Sequence, residues 1–503
     1  MTHPSQPAAT VPTTGDLIQS LARAAEWGAA YLASLGDRPV QSRIKPGDLL
    51  ARLPESPPEQ PPENPQLEWD AIYRDLEELI LPSLTHWQSP SFFAFFPCNQ
   101  SAPTIVAELL SAMLNVNGMN WATSPGVTEL EIRTLDWMAH AMGLPACFRS
   151  DAPEGGGVIQ STASDATLVA LLAARHRARR LHPDDLDVDT RLCVYTSTQA
   201  HSSVVKAAMI AGLARAPDDT RRLRLIAADS DLRMDPDALG RAMREDVERG
   251  LVPAFISATL GTTSSGAFDP LVPICDVADQ APRRPWVHVD AAWAGAALVC
   301  PEHREQMRPG LDRADSLCVN PHKWLLTNFD CDLMWTRCVG DLVGALSITP
   351  EYLRHESQLN GAVDFRDWQV PLGRRFRALK LWLLLRMFGI EGLRAHIRGG
   401  VRWAEELEGW VRADDRFEVA APRSLSLLCV RLRAGDAPTR ALLDRVNASG
   451  RAFLSHTTLP EGEGEARYVI RIAIGGTHTR REHVEGLWAL LRDEADAVLR
   501  STP

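Results

Sequence analysis

Short apolar runs alternate with amphipathic stretches through the middle of the chain, and this alternation predicts the fold class. Between about residues 102 and 380, strand-like runs are followed by stretches with helical spacing; the runs are residues 157–160, 191–196, 254–260, 287–290 and 317–320. Strands that alternate with helices form a mostly parallel sheet with helices on both faces. Residues 102–380 are therefore predicted to be a large α/β domain, in which ligands bind at the carboxyl ends of the strands.

The two ends of the chain follow different patterns. Residues 16–35 and 69–81 have helical spacing, and the proline-rich residues 54–65 between them predict an extended connector. These two helices have too little core to stand alone, so residues 1–101 are predicted to be a helical segment that packs on another surface, with a partner subunit as a candidate. Residues 381–503 predict a smaller α+β domain with a helix at 381–388, strands at 425–432 and 468–474, and a last helix begun by a capping-box pattern at Thr479.

Composition narrows the class of protein. The chain has 503 residues, a net charge of −11 and 45% hydrophobic residues, which is typical of a globular protein and gives no support for nucleic-acid binding. Nine scattered cysteines without a CxxC pair predict reduced thiols and no zinc site. No apolar run approaches the roughly 18 residues of a membrane span. We expect a soluble, cytoplasmic protein without a metal, a nucleic acid or a membrane as partner.

A lysine and an aspartate at two strand ends suggest the chemistry. Lys323, in the run Asn-Pro-His-Lys-Trp, follows the strand at 317–320, and Asp290 ends the strand at 287–290. A lysine amine can form a Schiff base with the aldehyde of pyridoxal 5'-phosphate, and a carboxylate can pair with its ring nitrogen. Taken singly, a surface lysine and a helix-capping aspartate would explain them equally well. Taken together, they predict a pyridoxal-phosphate enzyme.

Three further strand ends carry side chains or turns that suit this cofactor. The small-residue turn at 161–165 precedes a helix whose N–H groups could hold a phosphate, although a capping serine is the ordinary alternative. His201 could stack on a flat ring or transfer a proton, or could simply bond near a helix start. Thr263 lies in a glycine-punctuated run that could be an ordinary loop. Together with Lys323 and Asp290, these make five features in this order at strand ends. Five unrelated helix caps do not explain them well.

The motifs carry a resemblance that covers residues 14–497, nearly the whole chain. The chain resembles the group II pyridoxal-phosphate-dependent amino-acid decarboxylases, and among them most closely the aromatic-L-amino-acid decarboxylases. The shared stretches lie at residues 45–48, 86–97, 124–131, 200–203, 259–263, 288–292, 320–324 and 371–377. The His-Lys motif combined with the downstream Pro-Leu-Gly-Arg-Arg run is highly specific to this family.

The resemblance implies a fold-type I enzyme that is an obligate homodimer, with active sites at the subunit interface and the N-terminal helices wrapped around the partner. Lys323 would carry the cofactor, Asp290 would hold the ring nitrogen and His201 would stack on the ring. The remaining cofactor-binding residues would be Thr162, Ala163, Ser164, Thr263, Asn320 and His322, with Ala163, Ser164 and Asn320 at the phosphate. Tyr352 matches the tyrosine of the family's mobile loop.

The same resemblance implies a side-chain pocket for the substrate. Its residues would be Trp87, Phe95, Phe96, Pro97, Cys98, Met119 and Gly373. Apolar and aromatic residues in this set suit a phenyl or indole ring, although aromatic runs are more often core. Residues 92–98 include no arginine, which weighs against an acidic substrate. Phe95, Cys98 and Met119 stand where family members often have tyrosine, threonine and phenylalanine, so the substrate could differ from tryptophan or DOPA.

These expectations predict decarboxylation of an L-amino acid, aromatic by preference, to the amine and carbon dioxide. Tyr352 would return a proton to Cα, with His201 assisting, and the presence of both residues favours amine over aldehyde. An aldehyde-forming decarboxylase-oxidase and a decarboxylase of a non-aromatic amino acid are the alternatives. An aminotransferase is disfavoured because no carboxylate-clamp motif of that class is recognisable, and a catalytically silent binding protein is disfavoured by the intact Lys323 and Asp290.

Overall fold

A seven-stranded, mostly parallel sheet forms the centre of the protein, as the alternating pattern predicts. The computed structural model describes residues 14–348, 361–461 and 465–501. In this sheet the order is β1-β7-β6-β5-β4-β2-β3. The strands are β1 (Gly156–Gln160), β2 (Leu192–Ser197), β3 (Leu223–Ile226), β4 (Val252–Thr259), β5 (Trp286–Asp290), β6 (Ser316–Val319) and β7 (Asp332–Thr336).

One strand, β7, runs against the others. It pairs antiparallel with both β1 and β6, whereas the neighbours from β6 to β3 pair in parallel. Because β1 therefore runs in the same direction as β6, the strand ends at Gln160, Ser197, Thr259, Asp290 and Val319 lie along one edge of the sheet. This edge is where the predicted chemical residues follow their strands.

Helices cover both faces of the sheet. The helices are α1 (Thr14–Ala33), α2 (Pro65–Asp75), α3 (Ala102–Leu114), α4 (Pro125–Met142), α5 (Ala163–Leu181), α6 (Ser203–Ile210), α7 (Pro236–Glu248), α8 (Leu271–Asp279), α9 (Arg304–Met307), α10 (Pro321–Trp324), α11 (Val339–Leu346), α12 (Ala378–Arg412), α13 (Asp436–Ser449) and α14 (Arg481–Ser501). Successive strand side chains enter opposite cores, as a period of two requires. Val158 belongs to the core under α5 and Ile159 belongs to the other core.

A four-stranded antiparallel sheet follows near the C-terminus. Its order is β10-β11-β9-β8, and its strands are β8 (Phe417–Val419), β9 (Leu427–Leu432), β10 (Ser455–Glu461) and β11 (Glu465–Ala473). Helix α12 leads into this sheet and is much longer than the predicted 381–388. A non-helical backbone at Gly389 (φ 59°, ψ 179°) marks a kink within it.

Two local expectations turn out differently. The last helix begins at Arg481, near the predicted start. The hydroxyl of Thr479, which was expected to begin a capping box, instead donates a hydrogen bond to the carbonyl oxygen of Pro90 at 2.9 Å. Strand β7 has no counterpart among the predicted runs. At the N-terminus, α1 contains no buried residue, which agrees with the shortage of core noted for this segment.

Membrane spans, metal sites and disulfides can be assessed from the described residues. Within the described part of the chain, no helix is long and apolar enough to cross a membrane. In the same residues, no group of three or more His, Cys, Asp or Glu side chains is placed to hold a metal ion. All nine cysteines are described, and they are free thiols.

Candidate active site

The strand ends enclose a cavity of about 220 Å³. All nine predicted cofactor-binding residues line it. The lining residues are Phe96, Thr162, Ala163, Ser164, His201, Thr259, Gly261, Thr263, Asp290, Ala292, Trp293, Asn320, His322, Lys323 and Phe329. The topology thus brings to one place residues at the carboxyl ends of five strands, β1, β2, β4, β5 and β6.

Lys323 lies on the short helix α10, which begins directly after β6. Its ammonium nitrogen is 5.6 Å from the centre of the Phe96 ring. Burial lowers the pKa of Lys323 from its usual value, while the negative charge of Asp290 acts in the opposite direction. A lysine with a lowered pKa has a larger fraction of neutral amine, which is the form that attacks an aldehyde.

Asp290 is the last residue of β5 and its carboxylate lines the cavity. The Oδ1 atom accepts a hydrogen bond from the amide of Ala292 at 3.0 Å. The thiol of Cys318, on the neighbouring strand β6, lies 3.9 Å from the same oxygen. The strand end and these contacts fix the carboxylate at the cavity wall.

The two histidines of the cavity differ in exposure. His201 is exposed, and its Nδ1 accepts a hydrogen bond from the amide of Ser203 at 3.2 Å, so the neutral ring carries its proton on Nε2. Although the residue as a whole is exposed, its imidazole is partly desolvated, and this lowers the pKa of His201 despite the opposing charge of Asp290. His322 is buried, and burial together with the charge of Lys323 lowers its pKa to about 4. Both rings are therefore neutral at pH 7.

The start of α5 forms a cradle for an anion. Thr162 caps this helix in a capping box with Asp165, and the amide of Asp165 is bonded to the Thr162 carbonyl at 3.0 Å. The amides of Ala163 and Ser164 precede it, at positions where a helix leaves N–H groups without intrahelical partners. Together with the helix dipole, such groups favour a phosphate.

Two features near the cradle complete the site. The side-chain oxygen of Asn320 is buried and has no hydrogen-bond partner among the described residues, so it does not fix the orientation of this amide, whose NH₂ group can donate to a bound phosphate. Gly261, before Thr263, has φ of +88°, and a Cβ there would lie 2.6 Å from the Cβ of Ala294. Only glycine fits this turn without strain. An amine, a carboxylate and an anion cradle around one cavity fit pyridoxal 5'-phosphate.

An aromatic wall borders the cavity on the Lys323 side. Phe96 stacks on Trp293 with ring centres 4.4 Å apart, and Trp293 stacks on Trp324 at 5.3 Å. Of these three, only Phe96 was among the predicted substrate residues. The other two are core-like neighbours of the Asp290 and Lys323 motifs.

The predicted substrate residues do not form one group. Trp87 and Phe95 stack on each other at 5.8 Å and are 39% and 49% exposed, away from the cavity lining. Pro97 is buried, and Cys98 is near enough for the charge of Lys323 to lower its thiol pKa against the larger, raising effect of burial. Phe96 is the only predicted substrate residue in the wall of the cavity.

Met119 and Gly373 lie in another region. The Met119 carbonyl accepts a hydrogen bond from the amide of Arg366 at 2.9 Å. Gly373 lines a second cavity of about 320 Å³ that also borders Ser161 and Asp165. The two cavities therefore lie on either side of the turn that starts α5. Tyr352 lies outside the described residues.

Sequence reasoning missed two charged residues near the site. Asp332, the first residue of β7, is fully buried, and neither of its oxygens has a partner within the described ranges; burial and the nearby Asp290 raise its pKa well above the usual value. Arg471, on β11, holds its guanidinium 5.1 Å from the centre of the Phe96 ring. A charged residue inside the apolar run 468–474 was the signal that could have revealed Arg471.

Arg471 is a buried cation with neutral partners. Among the described residues, it donates to the Ser264 carbonyl at 3.2 Å and to Ser455 Oγ at 2.9 Å, and its Nη2 has no partner. Burial lowers its pKa from the usual value. A buried charge without a counter-ion is costly, and such a group is suited to binding an anion.

The mostly parallel sheet and a lysine–aspartate pair at its carboxyl edge define a fold-type I pyridoxal-phosphate enzyme. Residues 46–433 match the model of the pyridoxal-dependent decarboxylase conserved domain. The chain belongs to this family, and it is a pyridoxal-phosphate-dependent amino-acid decarboxylase, as the motifs predict.

Relatives agree along almost the full length. Tryptophan decarboxylase 2 of Oryza sativa subsp. japonica is 44% identical over 95% of this chain and 94% of its own length. Phenylacetaldehyde synthase of Arabidopsis thaliana is 43% identical over 94% of each chain. The crystal structure of Oryza sativa TDC with PLP and tryptamine superposes with a TM-score of 0.91 at 39% identity, covering 97% of this chain and 99% of that one.

Proposed function

We propose that this enzyme converts an aromatic L-amino acid to its amine and carbon dioxide, as a homodimer in the cytoplasm. The observation that carries the proposal is the convergence of Lys323, Asp290, His201 and the start of α5 on one cavity beside an aromatic wall. The similarity to a tryptophan decarboxylase over nearly the whole chain supports the aromatic substrate.

Each cofactor group has a candidate partner in this cavity. Lys323 Nζ is the amine that bonds the cofactor aldehyde, and Asp290 is the acceptor for the ring nitrogen. His201, with its exposed ring, covers one face of the cofactor ring. The amides and side chains of residues 162–164 hold the phosphate together with Asn320, while Thr263 and His322 complete the wall. When bound, the cofactor supplies a protonated ring that accepts the electrons left on Cα as carbon dioxide departs.

Arg471 is the group that we assign to the substrate carboxylate. It is a buried cation beside Phe96, and its Nη2 has no partner in the part of the chain that the structure describes. An arginine fork binds a carboxylate with defined geometry, so it would fix the orientation of the departing group. Replacing Arg471 with methionine should raise the KM for substrate far more than it changes cofactor binding.

Proton return to Cα needs a donor at the cavity. His201 carries its neutral-ring proton on Nε2, because Nδ1 accepts from Ser203. Tyr352 is the sequence-based candidate for the donor itself, and His201 would assist it. Retention of both residues favours release of an amine.

The homodimer is supported by apolar surface that one subunit leaves uncovered. Helix α3 carries six large apolar side chains that are each at least 40% exposed: Ile105, Val106, Leu109, Leu110, Met113 and Leu114. A contiguous apolar face of this kind marks an interaction surface. We propose that residues 1–101 pack on the partner subunit, next to a large domain at 102–380 and a small one at 381–503. The partner would also bring Met119 and Trp87 into reach of a second active site.

An aldehyde-forming reaction is the second candidate. The identity of 43% to a phenylacetaldehyde synthase is the observation that keeps it open, since that similarity is almost as high as the similarity to a tryptophan decarboxylase. Aldehyde, ammonia and hydrogen peroxide would mark this outcome, whereas amine would mark simple decarboxylation.

One assay tests the proposal. Purified enzyme loaded with cofactor is incubated separately with tryptophan, 5-hydroxytryptophan, DOPA, tyrosine, phenylalanine, histidine and glutamate, and amine, aldehyde and carbon dioxide are measured by mass spectrometry. The Lys323→Ala protein serves as the matched control for uncatalysed products. Amine from an aromatic substrate supports the proposal. Carbon dioxide from histidine or glutamate alone would keep the chemistry and overturn the aromatic pocket.

A further inference from the structure

A line of buried polar side chains runs behind Asp290, on the side away from the cavity. It consists of Trp286 and His288 on β5 and Ser316 and Cys318 on β6. All four are fully buried. The cofactor-binding roles proposed above do not use any of them, although buried polar groups are costly unless they are hydrogen-bonded.

The contacts along this line are continuous. Trp286 Nε1 donates to Ser316 Oγ at 2.8 Å, and Ser316 Oγ lies 2.8 Å from His288 Nδ1. On the other side of the ring, His288 Nε2 lies 3.8 Å from Cys318 Sγ. The Cys318 thiol in turn lies 3.9 Å from Asp290 Oδ1.

Hydrogen-bonding capacity sets the direction of the line. The Trp286 indole can only donate, so Ser316 Oγ accepts from it and can give its own proton to His288 Nδ1. Burial lowers the pKa of His288 to about 4, so the ring is neutral. With Ser316 donating to Nδ1, the one ring proton is on Nε2, facing Cys318. Burial also raises the pKa of the Cys318 thiol, which therefore keeps its proton for Asp290. Every donor points toward the carboxylate.

We propose that Trp286, Ser316, His288 and Cys318 form a directional hydrogen-bond chain that positions the carboxylate of Asp290 for the cofactor ring nitrogen. Cys318 is the last positioning residue of the chain, and it acts through Asp290 without touching the cofactor. The inference rests on the proposed role of Asp290.

The placement of the contacts on Asp290 supports this role. Both hydrogen bonds that the described residues make to its carboxylate, from the Ala292 amide and the Cys318 thiol, fall on Oδ1. This leaves Oδ2 for a ligand. Hydrogen bonds to a carboxylate favour its charged form, and successive bonds in a chain polarise one another.

The test uses variants of the last donor. Cys318→Ala removes the thiol, Cys318→Ser keeps a donor and acceptor at the same position, and Cys275→Ala is the matched control. Cys275 is also fully buried in the large domain, but its thiol faces the carbonyl of Gly310 at 4.0 Å. The probe is pyridoxal 5'-phosphate labelled with ¹⁵N in the ring, added to cofactor-free protein.

Two readouts that do not depend on turnover are measured: the dissociation constant of the cofactor and the ¹⁵N chemical shift of its ring nitrogen. A lost hydrogen bond of this kind should weaken binding about threefold to tenfold in Cys318→Ala. The ring-nitrogen signal should move toward the unprotonated position, because the carboxylate of Asp290 is then no longer held in place to accept from the ring N–H. Cys318→Ser should restore both readouts, and Cys275→Ala should change neither.

Three results would overturn the proposal. In the first, Cys318→Ala gives the same two readouts as Cys275→Ala, but Asp290→Asn still shifts the ring-nitrogen signal. Asp290 would then keep its proposed role, and the hydrogen-bond chain behind it would have none. Cys318→Ser could be as impaired as Cys318→Ala, which would indicate packing alone. If Asp290→Asn leaves the ring nitrogen unchanged, the proposed role of Asp290 fails first. Should the variants not fold, the ¹⁵N spectrum of the His288 ring in the unaltered protein decides: a proton on Nδ1 would contradict the chain.

Discussion

A buried ion pair between Glu131 and Arg374 joins two of the family motifs and should be essential to the fold around the cofactor. Arg374 Nη2 donates to Glu131 Oε1 at 2.7 Å, and each side chain is 1% exposed. The same oxygen accepts from the amide of Ile159 on β1 at 2.8 Å. The pair therefore fixes the strand that ends at the phosphate cradle.

The expected cost of Glu131→Gln follows from this geometry. The amide oxygen of glutamine can still accept from Ile159 and Arg374, so the substitution removes the charge and little else. Leaving one member of a buried pair without its partner costs about 3–5 kcal/mol. Because both hydrogen bonds can survive, we expect about 3 kcal/mol for Glu131→Gln, and a larger loss for Glu131→Ala.

Urea unfolding monitored by tryptophan fluorescence measures this change in the free energy of unfolding. Glu129→Gln is the matched control two residues away, since Glu129 is exposed and accepts one hydrogen bond from Trp121 Nε1 at 2.9 Å. That variant should lose less than about 1 kcal/mol. The double variant Glu131→Gln/Arg374→Met should lose clearly less free energy of unfolding than the sum of the two single variants. Each single variant leaves one buried charge of the pair uncompensated, whereas the double variant contains neither charge.

A Glu131→Gln protein as stable as Glu129→Gln would refute the reasoning. So would simple additivity in the double variant. Either result would mean that Arg374 finds compensation elsewhere, for example from Gln369 Oε1, to which its Nε donates at 3.1 Å.

Three further predictions concern the site. Lys323→Ala should lose the visible absorption band of bound cofactor while Lys206→Ala, on the surface, keeps it; a surviving band would disprove the assignment of Lys323. Tyr352→Phe should bind cofactor normally but lose amine production, and an unchanged amine yield would exclude it as proton donor. The pKa of Asp332 is raised in the folded protein. As the pH rises above about 3.9, the unfolded chain therefore loses the Asp332 proton before the folded chain does. The contribution of Asp332 to stability is thus present at low pH and is lost as pH rises toward its native pKa. Asp332→Asn should therefore raise the Tm more at pH 8 than at pH 4.5. An equal change in Tm at the two pH values would contradict this, and so would the same pH dependence in the control variant Asp184→Asn.

The sequence was sufficient to predict which residues meet at the carboxyl edge of the sheet, because strand ends are local features. Asp290 and Lys323 each follow an apolar run of their own, and parallel strands place such ends at one edge without further information. β7 was not predicted, since its apolar run, residues 333–335, is only three residues long and lies between Asp332 and Thr336. Arg471 could not be placed either, because its approach to Phe96 depends on how a distant antiparallel sheet docks against the large domain.

The substrate side was harder to predict for a physical reason. Aromatic side chains serve equally as core and as pocket wall, so the run 92–96 does not reveal which ring faces a ligand. The structure separates them: Phe96 faces the cavity, Phe92 is buried and Phe95 is 49% exposed.

The stacked rings of Trp87 and Phe95 expose apolar surface to water, which costs free energy. Another protein surface that covered the two rings would remove this cost. The cavity of one subunit offers a single predicted substrate residue, and Trp87 and Phe95 are not among the residues that line it. If Trp87 and Phe95 select the substrate, the proposed homodimer would let them do so from across the subunit interface. A substitution at Phe95 should therefore act on a neighbouring subunit's active site, and mixed dimers of Phe95→Ala and Lys323→Ala chains would reveal which subunit it serves.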